Sequence, residues 1–258
     1  PMFDFYSIMP VHRTELFKSR NNGRKNNCQE KQKFIREAME NYKNAQILEE
    51  ETLESHYISP ASLELAESEL HSQAVYSGKN HFPQLTELLL ETSAENFGFN
   101  DFGTLAHAYL EFFADNIERI KSGVLSTADF SVPSKLKLSL GKKHFEALSK
   151  ICIEMTELFA QSECGILLQN STFHKAEFNF MHNTGGKIVR GIMDLIFKAQ
   201  DGTIYIIDNK TDKKILPEKY LPQQQCYKQA ASEIFQLPES SVKTILFYLR
   251  YGKAVDIS

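Results

Sequence analysis

The chain has 258 residues, 42% of them hydrophobic, and a formal net charge of −4. This composition supports one large domain, with or without an appendage, and the mild acidity argues weakly against a nucleic-acid partner when it is taken as an average. No apolar run approaches the roughly 20 residues that span a bilayer and no signal peptide is recognisable, so we exclude a membrane-spanning chain and expect a cytoplasmic protein.

The first segment, residues 1–56, is polar and unevenly charged. Eight Lys and Arg residues lie between positions 11 and 36 beside two acids, whereas positions 37 to 115 carry fifteen acids and two lysines. A helical pattern runs through positions 31 to 54, and a solvated arm is a better interpretation of the basic stretch than a DNA clamp. We predict a charged helical appendage or linker here, and we interpret Pro1 as the start of a fragment from a larger parent chain.

The main domain is predicted over residues 57–258, with a helix-start signal at Ser59. After Gly103, apolar residues at helical spacing predict a strong helix that ends at Gly123. A further helix is predicted over residues 142–160. Helices therefore dominate the first half of this domain.

Strands dominate the second half, because the hydrophobic period changes near Lys175 from helical to alternating. Two strands, 187–198 and 203–210, are separated by the turn residues Asp201 and Gly202, which predicts an antiparallel hairpin. The remaining predictions are a helix over 221–235, a strand over 243–250 and a short last strand after a turn at Tyr251 and Gly252. The resulting fold class is α/β, with a mixed sheet flanked by helices.

Asp194 is the most informative residue, because it lies in a strand that is apolar on both sides of its pleat. Such a strand is normally buried, and a buried carboxylate costs several kcal/mol unless it is paired or binds a cation. Asp208 ends the partner strand after a run of isoleucines, and Lys210 projects to the same face as Asp208. The hairpin therefore predicts a cluster of two acids and one lysine.

This cluster suits phosphodiester hydrolysis. Two carboxylates can hold Mg²⁺ or Mn²⁺ with open water positions, and the ion activates water and neutralises developing charge. Lys210 can orient the attacking water and stabilise the negative charge on phosphorus. An ordinary salt bridge would explain Asp208 and Lys210 alone, but it would not explain Asp194.

Several motifs together resemble the PD-(D/E)XK nucleases of the RecB and AddA type. They are Gly191-x-x-Asp194, Asp208-x-Lys210, Tyr220-x-x-Gln223-x-x-x-Tyr227, and a helix that begins near Gly103 and carries His107 and Glu111. The resemblance implies a restriction-endonuclease-like fold and a DNA exonuclease domain for double-strand-break repair and recombination. It also implies a helicase domain in the parent chain and a partner subunit.

The resemblance further implies roles for individual residues. His107 becomes a metal ligand beside Asp194 and Asp208, and the backbone carbonyl of Asn209 becomes another. Glu177 resembles an acidic position that supports the metal, although a surface strand glutamate is nearly as good an interpretation. Gln223 and Tyr227 are one helical turn apart and are implied to contact DNA or Lys210, or else they merely cap and pack a helix.

The remaining predictions concern partners and cofactors. Some family members carry an iron–sulfur cluster on one early and three late cysteines; this chain lacks the late trio, so we expect no cluster. We expect single-stranded or end-containing DNA as substrate, contacted without base readout. The predicted contacts are Lys187, Arg190, Lys198, Lys213, Lys214 and Lys219. Alternatives are a stand-alone endonuclease of the same fold and an inactive docking module.

Overall fold

The structure is a computed structural model, and it describes residues 57–65, 78–93, 97–131, 141–184 and 187–258. The predicted appendage over residues 1–56 lies outside this part of the chain.

A mixed sheet of six strands forms the centre of the described domain. In chain order the strands are β1 (Tyr57–Ile58), β2 (Phe173–Thr184), β3 (Lys187–Lys198), β4 (Ile204–Lys210), β5 (Val242–Tyr248) and β6 (Lys253–Asp256). The strand β3 pairs antiparallel with β2 along its length and with β4 at its end, and β1 joins its beginning in parallel. The strand β4 continues in parallel with β5, which pairs antiparallel with β6.

Helices cover both faces of this sheet. They are α1 (Leu85–Thr92), α2 (Phe99–Asp115), α3 (Ile117–Lys121), α4 (Lys142–Gln161), α5 (Glu163–Gln169) and α6 (Leu221–Phe235). The larger core lies between helices α1 to α5 and sheet residues such as Phe197 and Phe247, both fully buried. The helix α6 packs on the opposite face against Ile196 and Ile206. Burying each such side chain contributes roughly 1.5–3 kcal/mol, so this packing fixes the sheet on which the site is built.

The predicted α/β class, the β3–β4 hairpin and the helix α6 are confirmed. The helix predicted to end at Gly123 was wrong in its bounds. It begins at Phe99, where the Asp101 carboxylate accepts a hydrogen bond from the Gly98 N–H at 2.8 Å, and it breaks at Asn116, whose φ of −119° is not helical. The separate short helix α3 then runs to the turn at Gly123. The strand predicted to reach Arg250 was also too long, because Leu249–Tyr251 form a 3₁₀ turn.

Gly191 on β3 allows the turn after β1 to pack closely on the sheet. A Cβ atom at this position would collide with the ring of Pro60, whose Cδ would lie only 2.7 Å away. Pro60 is buried and begins a 3₁₀ turn that is capped by Ser59. Glycine therefore fits here because of close packing rather than because of an unusual backbone conformation.

Candidate active site

The site lies where β3 and β4 separate. Their pairing ends at Leu195 and Ile207, and beyond this point β4 pairs only with β5. Asp194 is the first residue of β3 on the open side of this fork. Its Oδ2 accepts a hydrogen bond from the Asn209 N–H at 2.8 Å, so the side chain replaces a backbone partner that the separated strand no longer offers.

The helix α2 places His107 in the fork. Its Nε2 lies 3.0 Å from the Asn209 carbonyl oxygen, and its Nδ1 lies 3.4 Å from Asp194 Oδ2. Both ring nitrogens face acceptors, which favours the doubly protonated imidazolium. Burial alone lowers the pKa of His107, but the charge and hydrogen bond of Asp194 outweigh it and raise the pKa to about 9.

Glu177 reaches the same fork from β2. The register of β2 and β3 aligns Ala176 with Leu195 and Phe178 with Met193, which leaves Glu177 opposite Asp194. Glu177 has a φ of 49°, a conformation that non-glycine residues seldom adopt and that is often found at functional sites. Burial raises the pKa of Glu177, and the nearby charge of Asp194 raises it further.

The side chains of His107, Glu177 and Asp194 each offer a ligand atom, and these atoms lie within 4.8 Å of one another. With the Asn209 carbonyl they form a donor set of oxygen and imidazole nitrogen, which fits a divalent cation such as Mg²⁺ or Mn²⁺. All of them except Asn209 line an open cleft of about 780 Å³. A substrate can therefore reach this group from solvent.

Asp208 and Lys210 lie beside this group and form a buried ion pair, with Nζ 2.9 Å from Oδ2. The same Oδ2 accepts a hydrogen bond from the Gln224 amide at 2.6 Å. Burial raises the pKa of Asp208 to about 6, although Lys210 acts in the opposite direction. Asp208 is not part of the three-residue group described above, so its predicted role as a metal ligand stays a prediction.

The helix α6 surrounds Lys210 with polar and aromatic groups. Gln223 Oε1 lies 3.5 Å from Lys210 Nζ, and the Gln223 amide donates to the Tyr227 hydroxyl at 3.3 Å. The Tyr227 hydroxyl in turn donates to the Ile192 carbonyl at 3.1 Å. Lys210 Nζ also lies 3.8 Å from the centre of the Tyr220 ring, a cation–π distance. The structure thus brings the predicted glutamine, tyrosine and lysine together.

Gln224 was missed by the sequence analysis. It is only 1% exposed, and its Oε1 has no hydrogen-bond partner while its amide nitrogen binds Asp208. The run Gln223-Gln224-Gln225 offered a signal, because α6 packs on the sheet and three consecutive polar residues cannot all face solvent. Of the three, Gln225 is the exposed one.

The predicted DNA-contacting residues separate into two groups. Arg190 and Lys198 each lie four residues from Asp194 along β3, and Lys187 lies seven, which corresponds to roughly 13 and 23 Å of extended chain. These positions are distant from the fork. Lys213, Lys214 and Lys219 instead line a second pocket that adjoins the cleft.

A comparison with known protein families supports the same site. The family model described as the PD-(D/E)XK nuclease superfamily matches residues 80–256, more than half of the chain. The mixed sheet flanked by helices is the restriction-endonuclease-like α/β fold. No curated protein matches the chain significantly. Among the described residues, no helix has the length and apolarity required to cross a membrane.

Proposed function

The chain belongs to the PD-(D/E)XK nuclease superfamily, and we propose that it is a metal-dependent deoxyribonuclease that hydrolyses phosphodiester bonds. The observation that carries this proposal is the fork, where His107, Glu177 and Asp194 converge beside the buried pair of Asp208 and Lys210. Carboxylates, an imidazole and a lysine in an open cleft are the groups that metal-assisted phosphodiester hydrolysis requires.

We assign the metal to His107, Asp194, Asp208 and the Asn209 carbonyl, with Glu177 in support. A bound Mg²⁺ or Mn²⁺ ion supplies Lewis acidity and lowers the pKa of a coordinated water. His107 must give up a proton before a ring nitrogen can bind the cation, because its folded pKa is raised to about 9. The Asn209 carbonyl must likewise exchange its contact with His107 Nε2 for the cation.

Lys210 is assigned to the attacking water and to the charge that develops on the phosphoryl oxygens. Its ammonium group is held at 2.9 Å by Asp208 and lies against the Tyr220 ring, so its position is defined before substrate arrives. Burial by itself lowers the pKa of Lys210, but the Asp208 charge outweighs it and raises the pKa, which keeps the cation charged. Gln223 and Tyr227 are assigned to orient Lys210.

We further propose that the nuclease is an exonuclease of the RecB and AddA type, acting on single-stranded or end-containing DNA. The motif spacing supports this subtype, and the concentration of basic residues beside the cleft supports local contact with phosphates. A helicase domain in the parent chain, a partner subunit, a role in double-strand-break repair and a cytoplasmic location belong to the same proposal. The segment 1–56 is proposed as the link to that parent chain.

The test is digestion of labelled DNA with Mg²⁺ or Mn²⁺, using linear and circular substrates in single- and double-stranded form. We expect divalent-dependent loss of linear DNA while circles persist, and we expect Asp194→Asn, Asp208→Ala and Lys210→Ala to abolish it. Asp256→Asn and Lys243→Ala are matched controls, because both residues are exposed and neither lines the cleft.

The outcomes separate the alternatives. Cleavage of circles would identify an endonuclease. No cleavage by the wild-type protein with either metal would favour an inactive docking module, and full activity in both Asp208→Ala and Lys210→Ala would reject the assigned site.

A further inference from the structure

A second pocket of about 370 Å³ opens beside the active-site cleft. It shares Phe99, Asn100 and Thr211 with the cleft, and Thr211 directly follows Lys210 in the chain. We call this cavity the basic pocket. Its charged lining residues are Lys213, Lys214, Lys219, Arg250 and Asp212. Four cations against one acid give it a positive field, and its volume is within the range of roughly 300–1,000 Å³ that is common for ligand pockets.

Arg250 is the most unusual of these residues, because it is a guanidinium group with only 1% of its surface exposed. Its Nε donates to the Thr211 carbonyl at 2.7 Å, and its Nη1 donates to the Thr86 hydroxyl at 3.4 Å. Within the described part of the chain, no carboxylate lies at ion-pair distance from it. A buried cation without an anion carries a desolvation cost that a bound anion would offset.

The one acid of the basic pocket does little to neutralise it. Asp212 Oδ2 already accepts a hydrogen bond from the Tyr220 hydroxyl at 2.6 Å. Lys219 has a carboxylate partner outside the lining, Glu64 at 3.3 Å. Lys213 instead lies over the Phe99 ring, 4.2 Å from its centre, and forms no ion pair with any residue that the structure describes. Lys213 and Arg250 thus remain available to an anion.

We propose that the basic pocket binds a phosphate group of the nucleic-acid strand that is cut at the fork, so that the strand is anchored beside the scissile bond. The proposal rests on the function proposed above, since it takes a nucleic acid as the ligand. Arg250 holds the carbonyl of Thr211, the residue that follows Lys210. The anchor and the lysine of the active site are therefore parts of one strand end.

The bound phosphate has two possible sources that share this chemistry. It is either an internal phosphodiester of the strand or the phosphate at a strand end, which carries up to one more negative charge. An internal phosphate would make the pocket a general grip on the strand. A terminal phosphate would make it a sensor of DNA ends.

The experiment measures binding without hydrolysis. Fluorescence anisotropy in EDTA gives the dissociation constant of a short labelled single strand across a series of salt concentrations. The full chain is compared with the double variant Lys213→Ala/Lys214→Ala and with a matched control, Lys150→Ala/Lys243→Ala, whose residues are exposed and absent from the pocket lining. Strands with a 5′-phosphate, a 3′-phosphate and two hydroxyl ends form the three arms.

We expect the pocket variant to bind several-fold more weakly at low salt. The slope of log K against log salt should become shallower by about 0.7 for each lost phosphate contact on a single strand. Weakening in all three arms identifies an internal phosphate, and weakening confined to one phosphorylated arm identifies a terminal phosphate. Affinities and slopes equal to those of the control variant in every arm would overturn the proposal.

Arg250→Lys provides a second test, because it keeps the charge but loses the planar fork of donors. Its thermal unfolding is measured first, and a folded variant should also bind the affected strand several-fold more weakly. Failure of the anchor is distinguishable from failure of the nuclease proposal. If the pocket variant cleaves and binds DNA like wild type, only the anchor is rejected; if wild type binds through the pocket but never cleaves, only the nuclease is.

Discussion

The buried pair of Asp208 and Lys210 makes a strong prediction about the stability of the metal-free protein. At 2.9 Å and an effective dielectric constant of about 20, the attraction between the two charges is about 6 kcal/mol, and desolvation of both groups offsets most of it. Lys210→Met removes the attraction and leaves the carboxylate buried. We therefore expect the free energy of unfolding to fall by about 3–5 kcal/mol.

The double variant Asp208→Asn/Lys210→Met should be more stable than Lys210→Met alone. The asparagine carries no charge to desolvate, and its carbonyl can still accept the hydrogen bond from Gln224. The assay is urea unfolding of wild type, both single variants and the double variant in EDTA. Additive losses in this double-mutant cycle would refute the coupling inferred from the structure.

The pH dependence of Lys210→Met supplies an independent check. Without Lys210, the folded pKa of Asp208 should rise above about 6, whereas an unfolded aspartate titrates near 3.9. The folded state then holds its proton more tightly, so stability falls as pH rises from about 4 through the folded pKa. The deficit relative to wild type should shrink towards acid pH, and a deficit independent of pH would contradict the reasoning.

Three further predictions follow from other contacts. Titration calorimetry should show Mn²⁺ affinity rising with pH up to about 9 as His107 loses its proton, with protons released on binding; His107→Ala should remove the release, and a pH-independent affinity in wild type would exclude ligation by this residue. Gly191→Ala should lower the free energy of unfolding by about 1–3 kcal/mol, because the added methyl collides with Pro60, and unchanged urea midpoints would reject that packing. Gln224→Leu should lower kcat, with KM for DNA nearly unchanged, because it frees the carboxylate that holds the active-site lysine, whereas a pure KM effect would place Gln224 in substrate binding.

The parts of the fold that the sequence predicted well are those where one periodicity dominates. The bounds of β3 and α6 match their predicted bounds because each element has uninterrupted patterning and clear turn residues at its ends. Asp194 was recognisable for the same reason, since a carboxylate in an apolar strand violates its own pattern. The break at Asn116 was not predictable, because the apolar stripe continues through it into α3.

The rest of the site depends on tertiary packing that no local pattern records. Glu177 has the residue type of a surface strand, and only its φ of 49° and its place opposite Asp194 distinguish it. Gln224 requires knowledge of which side of α6 faces the sheet. The basic pocket joins Arg250, which follows β5, to Phe99 on α2, and only the folded chain brings them together.

The fork explains why these unrelated signals meet at one place. A strand residue presents its N–H and C=O to the same edge, and when β3 separates from β4 both groups of Asn209 lose their strand partner. Asp194 then accepts from the N–H, and His107 contacts the carbonyl. Because these side chains replace a missing strand, they can be exchanged for a cation without breaking the sheet. The contacts that satisfy the metal-free fork are therefore the same groups that we propose as ligands, which is why a folded, stable protein can keep a polar site open in the middle of its core.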